Sequence, residues 1–550
     1  VMWLLKGVNV LNWFRNIKSN WNTWTLLSIL FIALILLPSL SIILQFAAET
    51  NENWIHIKEY MLNTYIVNSV ILVLFVGLFT AIIGSSLAWI ISAYDFPLRG
   101  FFQWGLILPL AIPPYIGAYT YHGILNYTGV IQTTLRNQWD ITVDQQYFNI
   151  MNMPGTIFIF VIFLFPYVFT ITKAFLARQS TALIENARIL GTSSWRIYFR
   201  TVLPIARASI VAGVSLVILE VLNDYGVVKY YGIQTFTTAI FQTWFGLGDL
   251  DSAIKLSGTL MLLILGLLIL ERLLRGRKRF SFTTTKVRLL QPVKLQGRRK
   301  WLAFAYCMFI FGIAFIIPFI QLISWAILTY DQSFSVEFLQ VIGNTIGVAF
   351  VAAAIITIMA VVISNVSRLN RGLFAKVFPR VTILGYSIPG AVIAVGIVSL
   401  FIGLDKRIYE WGFTSSYILS TSIVMLIFAY IVRYLAVAYN SVESGFERIG
   451  TQFTDASRIL GNNVTKSFFK VDVKLIRGAI FGGFILAFID ILKELPLTLI
   501  LRPFNFETLA TNAFNYATNE MIHEAALPSI LIVCISAISI YAFHHVLERE

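Results

Sequence analysis

Four carboxylates are the residues of this chain most able to do chemistry. Glu220 and Asp224 lie four residues apart in one apolar stretch, and Asp490 and Glu494 repeat that spacing in another, with the residue types exchanged. Spacing of four predicts that each pair shares one helix face. A charge at membrane depth costs about 2.5–3.5 kcal/mol near the bilayer centre, so such residues need a use. Oxygen-only ligation suits a hard cation. No His or Cys accompanies them, and the five histidines (His56, His122, His523, His544 and His545) have no zinc-like spacing. One use is transient metal coordination along a pathway. The other is buried hydrogen bonding or ion pairing, with Lys493 and Arg502 nearby in sequence. At about 1.5 Å per residue, Glu220 stands roughly 25 Å from the start of its helix near Leu203. That is the outer half of a bilayer, where two symmetric pairs would gather four carboxylates near an outer mouth.

These pairs belong to a longer repeat. Glu185-Asn186-Ala187-Arg188-Ile189-Leu190-Gly191 aligns without a gap on Asp455-Ala456-Ser457-Arg458-Ile459-Leu460-Gly461, at an offset of 270. Arg207 and Arg477, and Phe236 and Phe506, keep that offset. Earlier landmarks, Asn68-Ser69 with Asn344-Thr345 and Ile112-Pro113 with Ile388-Pro389, stand 276 apart, so the first half carries a short insertion between them and the loop. A repeat of this length is two copies of one unit. Both run in the same direction, which predicts a parallel repeat about an axis along the membrane normal, with a pathway between the halves.

Composition places the units in a membrane. Hydrophobic residues make up 58% and charged residues 12% of the 550, against about 25% charged in soluble domains. The fold class expected is an all-α polytopic membrane protein of about twelve helices, six per repeat, each long enough for a hydrocarbon core of about 30 Å. The spans read as 24–47, 64–92, 101–126, 154–177, 203–225 and 252–272, then 301–329, 343–367, 376–404, 414–438, 476–500 and 524–547. The domains follow: an N-terminal segment 1–23, a first repeat 24–272, a basic linker 273–300 and a second repeat 301–550. Eleven Lys/Arg and no acid lie between Arg272 and Lys300. That run reads as a cytoplasmic loop under the positive-inside rule rather than as a nucleic-acid surface. Lys6, Arg15 and Lys18 put the N-terminus on the same side, and Lys173, Arg178, Arg188, Arg196 and Arg200 put the first repeat loop there. The first 23 residues do not read as a signal peptide. Cys307 and Cys534 suggest neither a disulfide framework nor a metal motif. Pro113-Pro114 and Pro389-Gly390 predict kinks inside apolar segments.

Each repeat loop reads as a helix ended by a left-handed glycine, Gly191 or Gly461. A second helical stretch follows at Ser193–Leu203 and Asn463–Val473. Small Ala187 and Ser457 would let the loop seat in a partner's cleft, and Arg188 and Arg458 would meet acidic groups there. Glu185 and Asp455 open the motif. The chain has no Gly-Lys dipeptide, so it holds no phosphate-binding loop. Nor does it show a nucleophile–base constellation, so no enzyme activity is expected.

The loop resembles the EAA loop of ABC-transporter permeases. Leu203-Pro204 keeps the family's ending, whereas Val473-Lys474 departs from it. The strings Glu220-Val-Leu-Asn-Asp-Tyr-Gly226, Lys493-Glu-Leu-Pro496 and Leu501-Arg-Pro-Phe-Asn-Phe-Glu-Thr-Leu-Ala510 resemble ferric-iron permeases of the importer class. The resemblance implies a fused pair of type I permease halves in a bacterial cytoplasmic (inner) membrane, with the N-terminus cytoplasmic. It implies two copies of a cytoplasmic ATPase carrying ATP and Mg, an extracytoplasmic ferric-binding protein, and no cofactor on this chain. Glu220, Asp224, Asp490 and Glu494 would then meet Fe³⁺ in passing. Thiamine, polyamine, sulfate and phosphonate permeases share the architecture. A secondary transporter driven by an ion gradient is the reading of a different class.

Overall fold

The computed structural model describes residues 23–177, 185, 187, 189–275, 291–369, 373–412 and 418–549. The N-terminal residues 1–22, Arg178, Arg188 and the basic stretch 276–290 lie outside the described residues, as do the side chains of His544 and His545.

Lipid offers no hydrogen bonds, so a spanning chain must satisfy its own backbone, and helices do so locally. Among the described residues the only strand pairing is Tyr94–Asp95 with Val293–Lys294, two residues each and parallel. Among the described residues eight helices are long and apolar enough to cross a membrane: Thr23–Phe46, Glu52–Ala93, Met153–Ala177, Ser194–Asn223, Leu250–Leu274, Arg298–Ser333, Val336–Leu369 and Ile423–Ile449. Three further candidates are bent pairs: Arg99–Ala111 with Pro114–Trp139, Val377–Ser387 with Gly390–Glu410, and Val464–Leu475 with Arg477–Leu492. Among the described residues this makes eight to eleven candidate spans, and the shorter apolar helix Ala526–Ala542 lies where the last of the expected twelve was read.

Several boundaries differ from the sequence reading, two of them with a visible cause. The tenth helix is Ile423–Ile449, not 414–438. Asp405 takes the amides of Leu419 and Ser420 at 3.0 and 2.8 Å, which holds that stretch in a turn, and Ser422 is extended before the helix begins. The fifth span stops at Asn223, so Asp224 is outside the helix that holds Glu220.

The predicted kinks are the sharpest bends. The chain turns by 89° at Ile112-Pro113 and by 104° at Ile388-Pro389. Ile112 is extended (φ −97°, ψ 106°), as a residue before proline prefers.

The chain forms two compact units, and each draws on both sequence repeats. One gathers residues 23–44 with Ile346–Ile388 and Gly396–Ile491. Within it the first helix lies against the second repeat: Ser41 and Ser399 hydroxyls are 3.3 Å apart, and Trp24 stacks edge-on to Phe468 at 4.7 Å. The other gathers Gln45–Thr345, Pro389–Val395 and Leu492–Glu550. There the first helix of the second repeat lies against the first repeat: Tyr306 and Ser86 hydroxyls are 2.8 Å apart, and Phe311 meets Phe101 at 5.2 Å. The opening helix of each repeat therefore packs in the unit built mainly from the other.

Close packing around Val168 in the second unit depends on two glycines. A methyl group on Gly84 would sit 2.7 Å from Val168 Cβ, and one on Gly213 would sit 2.7 Å from Val168 Cα. Small residues let membrane helices approach this closely. Gly213→Val puts its branch onto a backbone atom, and overpacking of this kind costs about 1–3 kcal/mol. We expect Gly213→Val to lower the melting temperature and the membrane abundance of the chain, while the same change at Gly266, where a methyl meets nothing within 4 Å, leaves both unchanged. Thermal unfolding of the two purified variants checks this.

Candidate functional site

The carboxylates that end the fifth span of each repeat are helix caps. Asp224 is extended (φ −66°, ψ 134°), and its Oδ1 accepts the Val227 amide at 2.8 Å, at the start of the short helix Gly226–Tyr230. Glu494 Oε1 accepts the Leu497 amide at 3.0 Å, at the start of Pro496–Leu501. Both donors and both acceptors keep the offset of 270. A buried amide with no partner costs about as much as a lost hydrogen bond, so these acids have a structural use at the depth where a charge is costly. Glu220 and Asp490, half-buried, stay within the helices Leu203–Asn223 and Arg477–Leu492. The expected shared helix face of each pair is therefore lost, because the helix ends between its members. Among the described residues no three His, Cys, Asp or Glu side chains are gathered as a metal site.

The bend at Pro389 needs more help than the bend at Pro113. Pro114 has no amide hydrogen. Its counterpart Gly390 has one, and Asn223 Oδ1 accepts it at 2.6 Å. In the other unit the Ile388 carbonyl, freed by the same bend, accepts from Arg433 Nη1 at 3.0 Å, and Arg433 is buried. The landmark asparagines also bond alike. Asn68 Nδ2 donates to the Gln234 carbonyl at 2.8 Å and Asn344 Nδ2 to the Glu507 carbonyl at 3.4 Å. Each carbonyl shortly precedes a helix opened by a threonine pair, Thr235 with Thr238 or Thr508 with Thr511.

The repeat loops form matching corners. Gly191 and Gly461 have φ of +72° and +87°. The Thr192 amide reaches back to the Ala187 carbonyl at 3.0 Å, and the Asn462 amide to the Ser457 carbonyl at 3.2 Å. These six-to-one bonds across a left-handed residue end a helix abruptly. After the corner comes a short helix, Ser194–Ile197 or Val464–Ser467, then a π-helical turn, Tyr198–Val202 or Phe468–Asp472. Each corner pushes two apolar side chains outward: Ile189 and Leu190 are both 82% exposed, and Ile459 and Leu460 are 86% and 82% exposed. Asp455 and Arg458 are exposed beside them, and Glu185 and Ala187 are half-buried. Ser457 turns inward, its hydroxyl 2.9 Å from that of Ser467. Its small size therefore lets the two loop helices pack, rather than fitting an outside cleft.

The second corner is tied down by an ion pair. Arg368 Nη2 lies 2.9 Å from Asp472 Oδ2, both side chains being largely buried. Asp472 Oδ1 also accepts from Thr454 on the loop helix at 2.7 Å, and Arg368 Nη1 donates to the Gly450 carbonyl at 3.2 Å. Asp472 corresponds to Val202 in the first repeat, which cannot form such a pair. There Tyr198 bonds Ser85, hydroxyl to hydroxyl, at 2.7 Å. Arg368, Asp472, Asn223 and Arg433 were not singled out from the sequence. The signal for Asp472 was available: a charge that the repeat does not copy.

Residues 81–274 and 362–550 both match the family described as binding-protein-dependent transport system inner membrane component. The chain is 26% identical over 482 residues to the Fe(3+)-transport system permease protein FbpB 2 of Haemophilus influenzae, covering 86% of this chain and 88% of that protein. It is 28% identical over 207 residues to the sulfate transport system permease protein CysT of Escherichia coli, covering 37% of this chain and 72% of that one. The molybdenum transport system permease protein ModB of Escherichia coli is 26% identical over 149 residues, 27% of this chain and 62% of that one.

Removing one partner of a buried pair leaves the other charge uncompensated, at about 3–5 kcal/mol, while replacing both with apolar residues is often neutral. We expect Arg368→Met to lower the melting temperature and to open the 451–461 loop to protease. The double variant Arg368→Met/Asp472→Leu should recover most of the loss. Equal melting temperatures for wild type and Arg368→Met would remove the brace.

Proposed function

The chain belongs to the family of binding-protein-dependent transport system inner membrane components, and from that premise we propose that it is the fused two-half permease of an ATP-driven ferric-iron importer. The observation that carries the coupling reading is the pair of matching corners with the exposed Ile189-Leu190 and Ile459-Leu460. Exposed apolar pairs on cytoplasmic loops have no lipid to cover them, and a partner would. Two copies in register fit two copies of one ATPase. Hydrolysis is assigned to that partner because no Gly-Lys dipeptide, and hence no phosphate-binding loop, occurs in this sequence.

Iron as cargo is supported by extent of likeness. The ferric relative aligns with 86% of the chain, the sulfate and molybdenum relatives with 37% and 27%. A binding protein on the far side would deliver the cargo. The basic residues of the loops and linker favour the cytoplasm for the corners and the N-terminus. Transport would follow from two states, inward-open and outward-open, each favoured by the partner that binds it better. ATP closing the ATPase dimer would draw the corners together and open the outer mouth.

A charge placed in each apolar pair should abolish docking without unfolding anything. We expect Leu190→Glu/Leu460→Glu to keep normal membrane abundance and to lose co-purification of the ATPase. Gly461→Val acts differently. Nothing lies within 4 Å of a methyl group there, so the penalty is the left-handed backbone alone, about 1–2 kcal/mol and more for a branched side chain. It should weaken coupling while retaining some docking. Undiminished co-purification of the ATPase with the double glutamate variant would refute the docking reading, and transport by the chain without any ATPase would favour the ion-gradient alternative.

A further inference from the structure

The opening helix of each repeat touches two functional places in its unit, a corner and a bent segment. In the first unit the helix Thr23–Phe46 begins on the second corner. Trp24 Nε1 donates to the Thr465 hydroxyl at 3.1 Å, on the short helix Val464–Ser467. The Trp24 ring meets Phe468 at 4.7 Å and Phe469 at 6.2 Å. A tryptophan at the end of a membrane helix ordinarily sits at the lipid headgroups. Here its one donor is spent on the loop instead. At Pro38, about 21 Å further along the helix, the same element lies on the limb Gly390–Glu410 that follows the sharper bend. A methyl group on Gly396 would sit 2.7 Å from the Pro38 carbonyl oxygen and 3.0 Å from Ile42 Cδ1, and the Ser41 and Ser399 hydroxyls are 3.3 Å apart.

The second unit repeats the arrangement with different chemistry. At the first corner Tyr198 bonds Ser85 at 2.7 Å, and the neighbouring Ser86 bonds Tyr306 at 2.8 Å, on the helix Arg298–Phe311. Further along, Phe311 meets Phe101 at 5.2 Å, and the Ile313 carbonyl accepts from the Tyr121 hydroxyl. Phe101 and Tyr121 stand on the two limbs of the segment bent at Pro113. Packing alone requires no particular residue at either end of an opening helix. Yet both units join a corner to a bent segment through one, by an indole and a serine pair in one unit and by a hydroxyl relay and aromatic rings in the other. The repeats share the link and not the residues that make it.

We propose that each opening helix is a strut that carries displacement of a corner to the bent segment of its own unit, with Trp24 clasping the second corner. Packed side chains and rigid helices are the elements that carry such coupling. The proposal rests on the coupling reading above and names what transmits the work. Corner and strut move as one body, so the clasp stays closed through the cycle. Trp24 touches no cargo and is a positioning residue.

The test uses the permease–ATPase complex in proteoliposomes with iron-loaded binding protein, and reads iron taken up per ATP hydrolysed. Trp24→Ala should retain the ATPase, because Ile459 and Leu460 are untouched, and should retain ATP turnover. Its iron per ATP should fall at least about three-fold, within the range by which changes along a coupling route alter coupling. Tyr306→Phe should lower the ratio in the same direction through the first corner. Reduced membrane abundance with an unchanged ratio in the complex that remains would make both contacts merely structural and overturn the struts. A reversible clasp separates coupling from folding. Trp24→Cys/Thr465→Cys, in a Cys307→Ala/Cys534→Ala background, should be uncoupled as purified. A short bis-methanethiosulfonate linker across the two thiols should restore most of the background's iron per ATP, and dithiothreitol should remove it again. A linked protein as uncoupled as the reduced one, or transport arrested by the linker, would overturn the proposal alone. A wild-type complex that takes up no iron with ATP would overturn the importer reading, and the struts with it.

Discussion

A backbone that bends by 104° inside a membrane must find partners for the amide and carbonyl it frees, because lipid supplies none. That constraint shapes the middle of this protein. Gly390 takes Asn223 for its amide, Ile388 takes Arg433 for its carbonyl, and the helices after the fifth spans take Asp224 and Glu494 as caps. Polar residues that are costly at this depth are retained because the broken helices need them. The same breaks place oxygen donors deep in an otherwise apolar core.

The repeat has been kept where geometry matters and released where it does not. The left-handed glycine corners, the π-helical turns after them and the carboxylate caps all recur 270 residues apart. The supports differ. One corner has a buried ion pair through Asp472, and the other has a hydroxyl pair through Tyr198. The copy with Leu203-Pro204 runs as a single helix, Ser194–Asn223, whereas the copy with Val473-Lys474 is bent by 74°. The two corners thus share one shape on unequal foundations.

Much of this was legible in the sequence, for physical reasons that can be named. Apolar runs gave the helices because the bilayer sets their length. Pro113-Pro114 and Pro389 gave the bends because proline lacks an amide hydrogen. Glycine at the end of a polar helical stretch gave the corners, since φ near +70° to +90° strongly favours glycine. The carboxylates were found but their orientation was not: spacing of four implies a shared face only while the helix continues, and it ends at Asn223. Asn223 and Arg433 were missed because their partners lie 167 and 45 residues away. The exchange of opening helices between the units was invisible for the same reason. A repeat shows that two copies exist, not which copy each helix packs against.

Uptake of radioactive ferric iron into proteoliposomes containing this chain and its ATPase tests the central claim most directly. The account predicts accumulation that requires ATP inside and iron-loaded binding protein outside, and that stops when either is withheld. Accumulation sustained by an ion gradient in vesicles holding this chain alone would contradict it.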